Sequence, residues 1–199
     1  MTTSSKTRIF NMALHELGIS APVAGTGSEY ESRAVILNNY YETARDEVLK
    51  ANDWNFAQKY RVLTPSNRQN LHPKFMYMFD YPNDCLNARE LYDHDGDDLK
   101  KEFQVSADDI CNKVIYCNVE NALLKYTRRI TDEQFFDAEF SNALALYLAA
   151  LTGQALTGSQ QKADDALKKY WDKVRLARIS NTSEGQELDE DNTTYLDAR

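Results

Sequence analysis

The chain has 199 residues, of which 42% are hydrophobic and 11% aromatic, and its net charge at neutral pH is −8. This length fits one large domain or two small ones, and it allows a hydrophobic core that needs no disulfide bonds. The acidic balance argues against a protein that binds nucleic acids regardless of sequence, because such proteins need basic patches to displace counterions.

Two helices are predicted in residues 5–54. The first covers about residues 5–17 and ends at Gly18, where a glycine after the helix is typical. The second begins at Ser28, which fits a capping box with Glu31. It extends towards Trp54, and Arg33 and residues 45–47 are predicted to lie on its wet face. The predicted inward residues are Ile9, Met12 or Ala13, Leu14 and Leu17, and then Ala34, Leu37, Tyr41, Ala44 and Val48.

Residues 55–130 change to short segments rich in Val, Ile, Tyr and Phe, separated by polar clusters. This pattern predicts an inserted antiparallel β-sheet or a small barrel-like insert. Asp95 and Gly96 form the signal for a tight hairpin. The predicted strands are residues 56–63, 75–79, 88–92, 100–105, 113–116 and 122–128.

Helices three and four are predicted in residues 132–179. Asp132 or Asp137 caps helix three, which is apolar nearly all round and should be the central helix of the core. Gly153 weakens its last turns, and Gly158 ends it. Helix four covers about residues 160–178. Its predicted inward residues are Ala163, Ala166 or Leu167, Tyr170, Val174 and Ala177.

Residues 180–199 are predicted to form an extended acidic C-terminal arm with a net charge of −5. Its sizeable apolar residues are Leu188, Tyr195 and Leu196. A segment of this composition cannot build a core alone, so it is either a frayed tail or an arm that orders on a partner. The predicted fold class is therefore α+β: a single domain over residues 1–199, with an antiparallel bundle of about four helices, an inserted antiparallel β-sheet and this arm.

No motif for a cofactor, a nucleophile or a phosphate loop is present, so neither a cofactor nor enzymatic activity is expected. The scattered histidines predict no metal site; they are His15, His72 and His94. The odd number and spacing of the cysteines predict reduced, half-buried thiols; they are Cys85, Cys111 and Cys117. No membrane partner is expected, because the longest apolar run, residues 143–151, is too short to span a bilayer. The N-terminus also lacks the apolar segment of a signal peptide.

The aspartate-rich residues 93–98 alternate as in a calcium loop, but Gly96 and Gln104 occupy the wrong positions for one. A solvated hairpin tip is therefore favoured over weak cation binding. Paired carboxylates for glycoside hydrolysis would need one acid with a raised pKa in an apolar pocket. Asp84 and Asp137 are the candidates, and Asp137 is better explained as a helix cap.

Four segments together point to a known family. They are residues 13–18, a short helix ending in glycine; Tyr41 with residues 45–49 and 54–57; residues 81–86, Tyr-Pro-Asn-Asp-Cys-Leu; and residues 140–151 before a polar final helix. Over residues 5–180 this order resembles the head-to-tail adaptors of short-tailed bacteriophages, of the tail tubular protein A type. The second and third segments are the more specific ones.

The resemblance implies a structural virion protein in the neck of the phage, assembled in the cytoplasm of the host bacterium. Copies would form a ring of twelve subunits between the portal protein and the tail nozzle or tube. The ring would extend the channel through which viral DNA passes without specific binding. The arm would dock on the portal, with Leu188, Tyr195, Leu196 and Arg199 as its contact residues.

Two other functions remain as alternatives. One is a helical adaptor of the cytoplasm that binds proteins and has no role in virions, since a fold alone does not fix function. The other is a peptidoglycan-cleaving glycosidase of the virion, which would depend on carboxylates such as Asp84 or Asp137.

Overall fold

The computed structural model describes residues 5–20, 28–96 and 99–184, and only the backbone of residues 28–30 and 180–184. Within these ranges the chain has a helical layer and a β insert, which confirms the α+β class with a helical bundle core. The helices are α1 (Lys6–Glu16), α2 (Ser28–Ala51), α3 (Ala138–Thr157) and α4 (Gln160–Glu184). The strands are β1 (Gln58–Val62), β2 (Tyr77–Asp80), β3 (Cys85–Asp93), β4 (Phe103–Ala107), β5 (Lys113–Cys117) and β6 (Ala122–Arg128).

Helix α3 is the centre of the helical layer, as predicted, and packs against α1, α2 and α4. Its side chains are buried on nearly every side, because the neighbouring helices surround it. Ala13 and Ala166 are buried, whereas the alternative Met12 is half-buried and the alternative Leu167 is exposed. The other predicted inward residues of α1, α2 and α4 are buried too, except that Ala34 is half-buried. In α3, Tyr147 is half-buried and Leu151 is exposed.

The predicted helix ends are also confirmed. Gly18 and Gly158 adopt left-handed φ angles of 74° and 69°, which glycine allows without strain from a Cβ atom. Both candidate caps are used: Asp137 accepts a hydrogen bond from the Phe140 amide at the start of α3, and Asp132 caps the short 3-10 helix Glu133–Phe135. The Ser28 side chain, which the predicted capping box requires, lies outside the described part.

Gly153 lies inside α3 and marks a close approach between α3 and α4. A Cβ atom at this position would lie only 3.0 Å from both Cα and Cβ of Ala163. The glycine that weakens the helix locally therefore allows the two helices to pack closely.

An aromatic plug joins the helical layer to the insert. Trp54 is fully buried, donates a hydrogen bond from Nε1 to the Val48 carbonyl over 2.8 Å, and meets the ring of Phe140 edge to face. The segment Asn55–Ala57 forms a 3-10 helix before β1. The predicted strand start at residue 56 is therefore wrong, because this turn places Ala57 in the helical core before the chain extends.

The insert consists of two three-stranded antiparallel sheets, with strand orders β1–β6–β3 and β2–β5–β4. The sequence analysis expected one antiparallel sheet or a small barrel-like insert. The strands are antiparallel as expected, but they form two sheets, because β5 pairs with both β2 and β4. The two sheets share one buried cluster, to which Phe79 and Ile115 contribute from one sheet and Leu91 and Leu124 from the other. The turn at Asp95 and Gly96 is present, but it joins strands of different sheets and not a hairpin pair.

Helix α4 ends at Glu184, six residues later than predicted. The sequence from residue 159 to residue 184 contains neither glycine nor proline, and the first helix-stopping residue is Gly185. The first five residues of the predicted extended arm are therefore helical. Residues 185–199 lie outside the described part, and so do the predicted portal contacts Leu188, Tyr195, Leu196 and Arg199.

Candidate functional site

The C-terminal end of α2 is held by two arginines from other parts of the fold. The Arg89 guanidinium in β3 donates to the carbonyl oxygens of Lys50 and Asn52 over 3.0 and 2.6 Å. Arg178 in α4 donates to the carbonyl of Ala51 over 2.9 Å. Cations at a helix C-terminus satisfy its free carbonyls and interact favourably with the helix dipole. This helix end is thus the joint between α2, α4 and the β insert.

A second group of charges lies at the same junction. Lys125 forms an ion pair with Asp53 over 2.9 Å and lies 3.8 Å from Glu90, to which Tyr92 donates a hydrogen bond. Burial disfavours the ionised form of Glu90, but the hydrogen bonds from Tyr92 and Lys100 and the charge of Lys125 outweigh it and lower its pKa. These residues add charge pairs to the apolar contact between the helical layer and the first sheet.

Arg45 contradicts the prediction that residues 45–47 lie on a wet face. Its side chain is only 8% exposed, because it follows Tyr41 by one helical turn and therefore lies beside the inward stripe. Asp46 pairs with it over 2.8 Å and also pairs with Arg129 over 2.9 Å. The pair lines a polar cavity of about 610 Å³. In the same cavity, Tyr41 donates a hydrogen bond to Glu133.

The larger opening is a cleft in the β insert, with a volume of about 800 Å³. We call it the inter-sheet cleft. It contains part of the Tyr-Pro-Asn-Asp-Cys-Leu segment on which the adaptor resemblance depends. Its charged lining residues are three cations and one carboxylate, and the rest of the lining is largely amide and hydroxyl groups. The lining residues are Arg61, Leu63, Thr64, Ser66, Asn67, Arg68, Asp80, Tyr81, Pro82, Asn83, Cys85, Asn112 and Lys113.

The three cations of the inter-sheet cleft differ in their partners. Arg68 pairs with both Asp80 and Asp108, so its charge is compensated. The Lys113 ammonium lies 3.9 Å from the ring centroid of Tyr81, a cation–π contact that leaves its positive charge uncompensated. Arg61 is exposed and forms no ion pair within residues 5–20, 28–96 and 99–184. The cleft therefore offers two cations to an anionic ligand.

The candidate acids of the glycosidase alternative have structural partners. Asp84 accepts hydrogen bonds from Lys59 over 2.7 Å and from Tyr126 over 2.9 Å. Burial raises the pKa of Asp84, but these two hydrogen bonds outweigh it, and the net shift is downwards. A general acid of a glycosidase needs a shift in the opposite direction. Asp137 is engaged as the cap of α3.

Several large apolar side chains are exposed. Trp171 on α4 is 56% exposed although its neighbour Tyr170 is buried. Single exposed apolar residues are ordinary, but these occur on both the helical layer and the insert. On α4 they are Leu167, Trp171, Leu176 and Ile179, and in the insert Tyr60, Val62, Leu71, Met76, Leu99 and Ile110.

The remaining predicted residues are placed as follows. His15 and His94 are exposed, and His72 packs between Phe75 and Tyr116. Among the described residues, no group of three or more metal-ligating side chains is found. Asp97 and Asp98 lie outside this part, so the preference for a solvated tip over weak cation binding at residues 93–98 stays a prediction. No helix in the described ranges has the length and apolar character to cross a bilayer.

The three thiols are free within the described part, as predicted for the reduced form. The half-buried placement is wrong in detail: Cys85 and Cys117 are buried between the sheets, and Cys111 is exposed. Cys111 lies in a turn after Asp108, and its φ angle of 64° directs the chain back into β5.

The sequence analysis missed both Arg45 and the cations of the inter-sheet cleft. For Arg45 the signal is its spacing of four residues from the inward Tyr41, which places both on one side of a helix. For the cleft, the alternation of Lys59 and Arg61 predicts two cations on one face of β1. Arg68 comes from the segment after β1 and Lys113 from the distant β5, and only the fold brings them to Arg61.

Comparison with known proteins adds no relative. A scan against models of protein families finds no match, and a search of curated proteins finds none. The likeness to phage adaptors therefore stays a prediction from the sequence.

Proposed function

We propose that this chain is a structural subunit of a bacteriophage neck, a head-to-tail adaptor that forms a ring of twelve copies between portal and tail nozzle. The observation that carries the proposal is the exposure of large apolar residues on two different parts of the fold, α4 and the β insert. A ring built from heterologous contacts needs two different complementary faces on every subunit. Aromatic residues such as Trp171 are typical anchors of protein interfaces.

The architecture supports the same proposal. A bundle of helices with an inserted β region is the arrangement that the resemblance implies. In this role the chain acts through shape: the ring extends the DNA channel, and the acidic surface discourages DNA from adhering to it. Leu188, Tyr195, Leu196 and Arg199 would contact the portal, and the nozzle would bind the opposite side of the ring.

The experiment is negative-stain electron microscopy and native mass spectrometry of the purified chain, alone and mixed with the portal protein of the same particle. We expect closed rings of twelve copies in the mixture. The variant Trp171→Ala should weaken ring formation, and His15→Ala, an exposed change on α1, is its control. A chain that stays monomeric with the portal would overturn the proposal, and so would a band in a peptidoglycan zymogram that Asp84→Asn abolishes.

A further inference from the structure

The inter-sheet cleft has the chemistry of a binding site for an acidic peptide. Arg61 and Lys113 have no carboxylate partner within the described ranges, and the only carboxylate of the lining, Asp80, is paired with Arg68. Amide groups from Asn67, Asn83 and Asn112 surround them. Charged donors and amides placed together in a partly enclosed site favour carboxylates, because hydrogen bonds to charged groups are the strong ones.

The chain itself contains a matching ligand. Residues 187–191, Glu-Leu-Asp-Glu-Asp, hold four carboxylates within five residues, and they follow Gly185, the first helix-stopping residue after α4. No other stretch of the sequence has this density of acids without an intervening base, apart from residues 93–98. The described part of that stretch, residues 93–96, belongs to the turn after β3 and is tied there, since Asp95 accepts a hydrogen bond from Asn121.

We propose that the inter-sheet cleft binds the acidic stretch 187–191 of a second copy of this chain. Each copy then carries both a ligand at one end and a cleft in its insert. A contact between two different surfaces of identical subunits is heterologous, and it produces a ring or an open chain of copies.

This inference shares self-association with the proposed function but needs no portal. It also leaves residues 192–199, with Tyr195 and Leu196, free to contact another partner. If rings with the portal still form when the cleft residues are changed, this inference is wrong and the adaptor proposal is unaffected. If residues 187–191 bind the cleft but no ring forms with the portal, the adaptor proposal is wrong and this inference is unaffected.

The first test is complementation between two full-length variants, followed by sedimentation velocity. The cleft variant carries Arg61→Glu and Lys113→Glu. The tail variant carries Glu187→Gln, Asp189→Asn, Glu190→Gln and Asp191→Asn. Neither should associate alone, and their mixture should form dimers and nothing larger, because each dimer has used its one intact cleft and its one intact tail. The control variant Arg8→Glu and Lys50→Glu, with the same charge change at exposed positions on α1 and α2, should associate like the unchanged chain.

The second test measures the contact directly. A fluorescent peptide of residues 185–199 is titrated with the full-length tail variant, whose own segment no longer competes, and anisotropy is recorded. Binding should weaken at least about tenfold when Arg61→Glu and Lys113→Glu are added, and it should weaken with rising salt. A control pair on α4, Lys168→Glu and Arg175→Glu, has the same charge change away from the cleft and should leave the affinity unchanged.

Four outcomes would overturn the inference. The first is that the peptide does not bind, and the second is an equal loss of binding with the α4 control. The third is unchanged association of the cleft variant, because the contact between copies would then not use the cleft. The fourth is a single-stranded oligothymidine that binds the cleft while the peptide does not, which would make the site one for nucleic-acid phosphates.

Circular dichroism of each variant before measurement verifies that the fold is intact. A peptide in which lysines replace the four carboxylates should regain binding to the cleft variant, because both charges of the contact are then reversed.

Discussion

The helical layer and the β insert are stabilised in different ways. In the helical layer one continuous cluster of buried residues extends from α1 to α4, with Trp54, Phe136 and Phe140 at its centre. In the insert the apolar residues are divided between a cluster shared by the two sheets and a small one on the outer face of the second sheet. The insert therefore depends more on hydrogen bonds and ion pairs, and its stability should respond more strongly to pH and to single polar substitutions.

The largest expected effect is on the helical layer. Trp54→Ala removes a fully buried ring that packs against Phe140, and it should lower the free energy of unfolding by about 3–5 kcal/mol. Urea denaturation followed by circular dichroism measures the change. Trp171→Ala, the same substitution at an exposed position, should cost less than about 1 kcal/mol. Equal losses for the two variants would show that Trp54 does not anchor the core.

The next effect is on the joint between the two regions. Arg89→Met leaves the carbonyls of Lys50 and Asn52 without their donor, and the cost should be about 2–3 kcal/mol. The exposed Arg175→Met on α4 should change stability by less than about 0.5 kcal/mol. Tryptophan fluorescence reports the helical layer, and labelling of Cys117 reports the insert. In Arg89→Met the two transitions should separate, and coincident transitions would mean that this residue does not couple the regions.

A smaller effect concerns pH and the insert. The pKa of Asp84 is lowered in the fold, so its contribution to stability is complete above the pKa of the unfolded chain, about 3.9, and is lost as the pH falls through the folded value. Asp84→Asn should destabilise the protein by less than about 1 kcal/mol at pH 7, because the pair with Lys59 is partly exposed. The difference from the unchanged chain should shrink as the pH falls below the pKa of the unfolded chain. A constant difference from pH 7 to pH 3 would contradict the assignment.

The smallest effect is on thiol reactivity, with no change in stability. Burial raises the pKa of Cys85 and Cys117, which disfavours their reactive thiolates, whereas Cys111 is exposed. With Ellman's reagent, one thiol should therefore react rapidly in the native protein and all three in denaturant. Cys111→Ser should remove the rapid phase. Rapid reaction of Cys117 in the native state would show that the core between the sheets opens easily.

Sequence reasoning succeeded where local signals determine the structure. The caps at Asp137 and Gly158 and the inward stripe of α4 follow from spacing within one helix. It failed where partners are distant in the chain. The second sheet forms because β5 pairs with both β4 and the distant β2, and no local pattern reveals such pairing.

The candidate sites show the same limit. The segment of residues 81–86 could be singled out from the sequence, and part of it does line the inter-sheet cleft. The cations opposite it could not be assigned, because Arg61, Arg68 and Lys113 come from three separate segments. The charge density of residues 187–191 is visible in the sequence, but its complement exists only in the folded insert.

The shared helix end has a mechanical consequence. Arg89 and Arg178 hold three successive carbonyl groups, those of residues 50, 51 and 52, from two separate elements of the fold. Tension applied to the chain beyond Glu184 runs down α4 to Arg178 and reaches the same turn of α2 that anchors β3. A force applied to the last residues of the protein is therefore transmitted to the sheets through a few hydrogen bonds, although the two arginines lie far apart in the sequence.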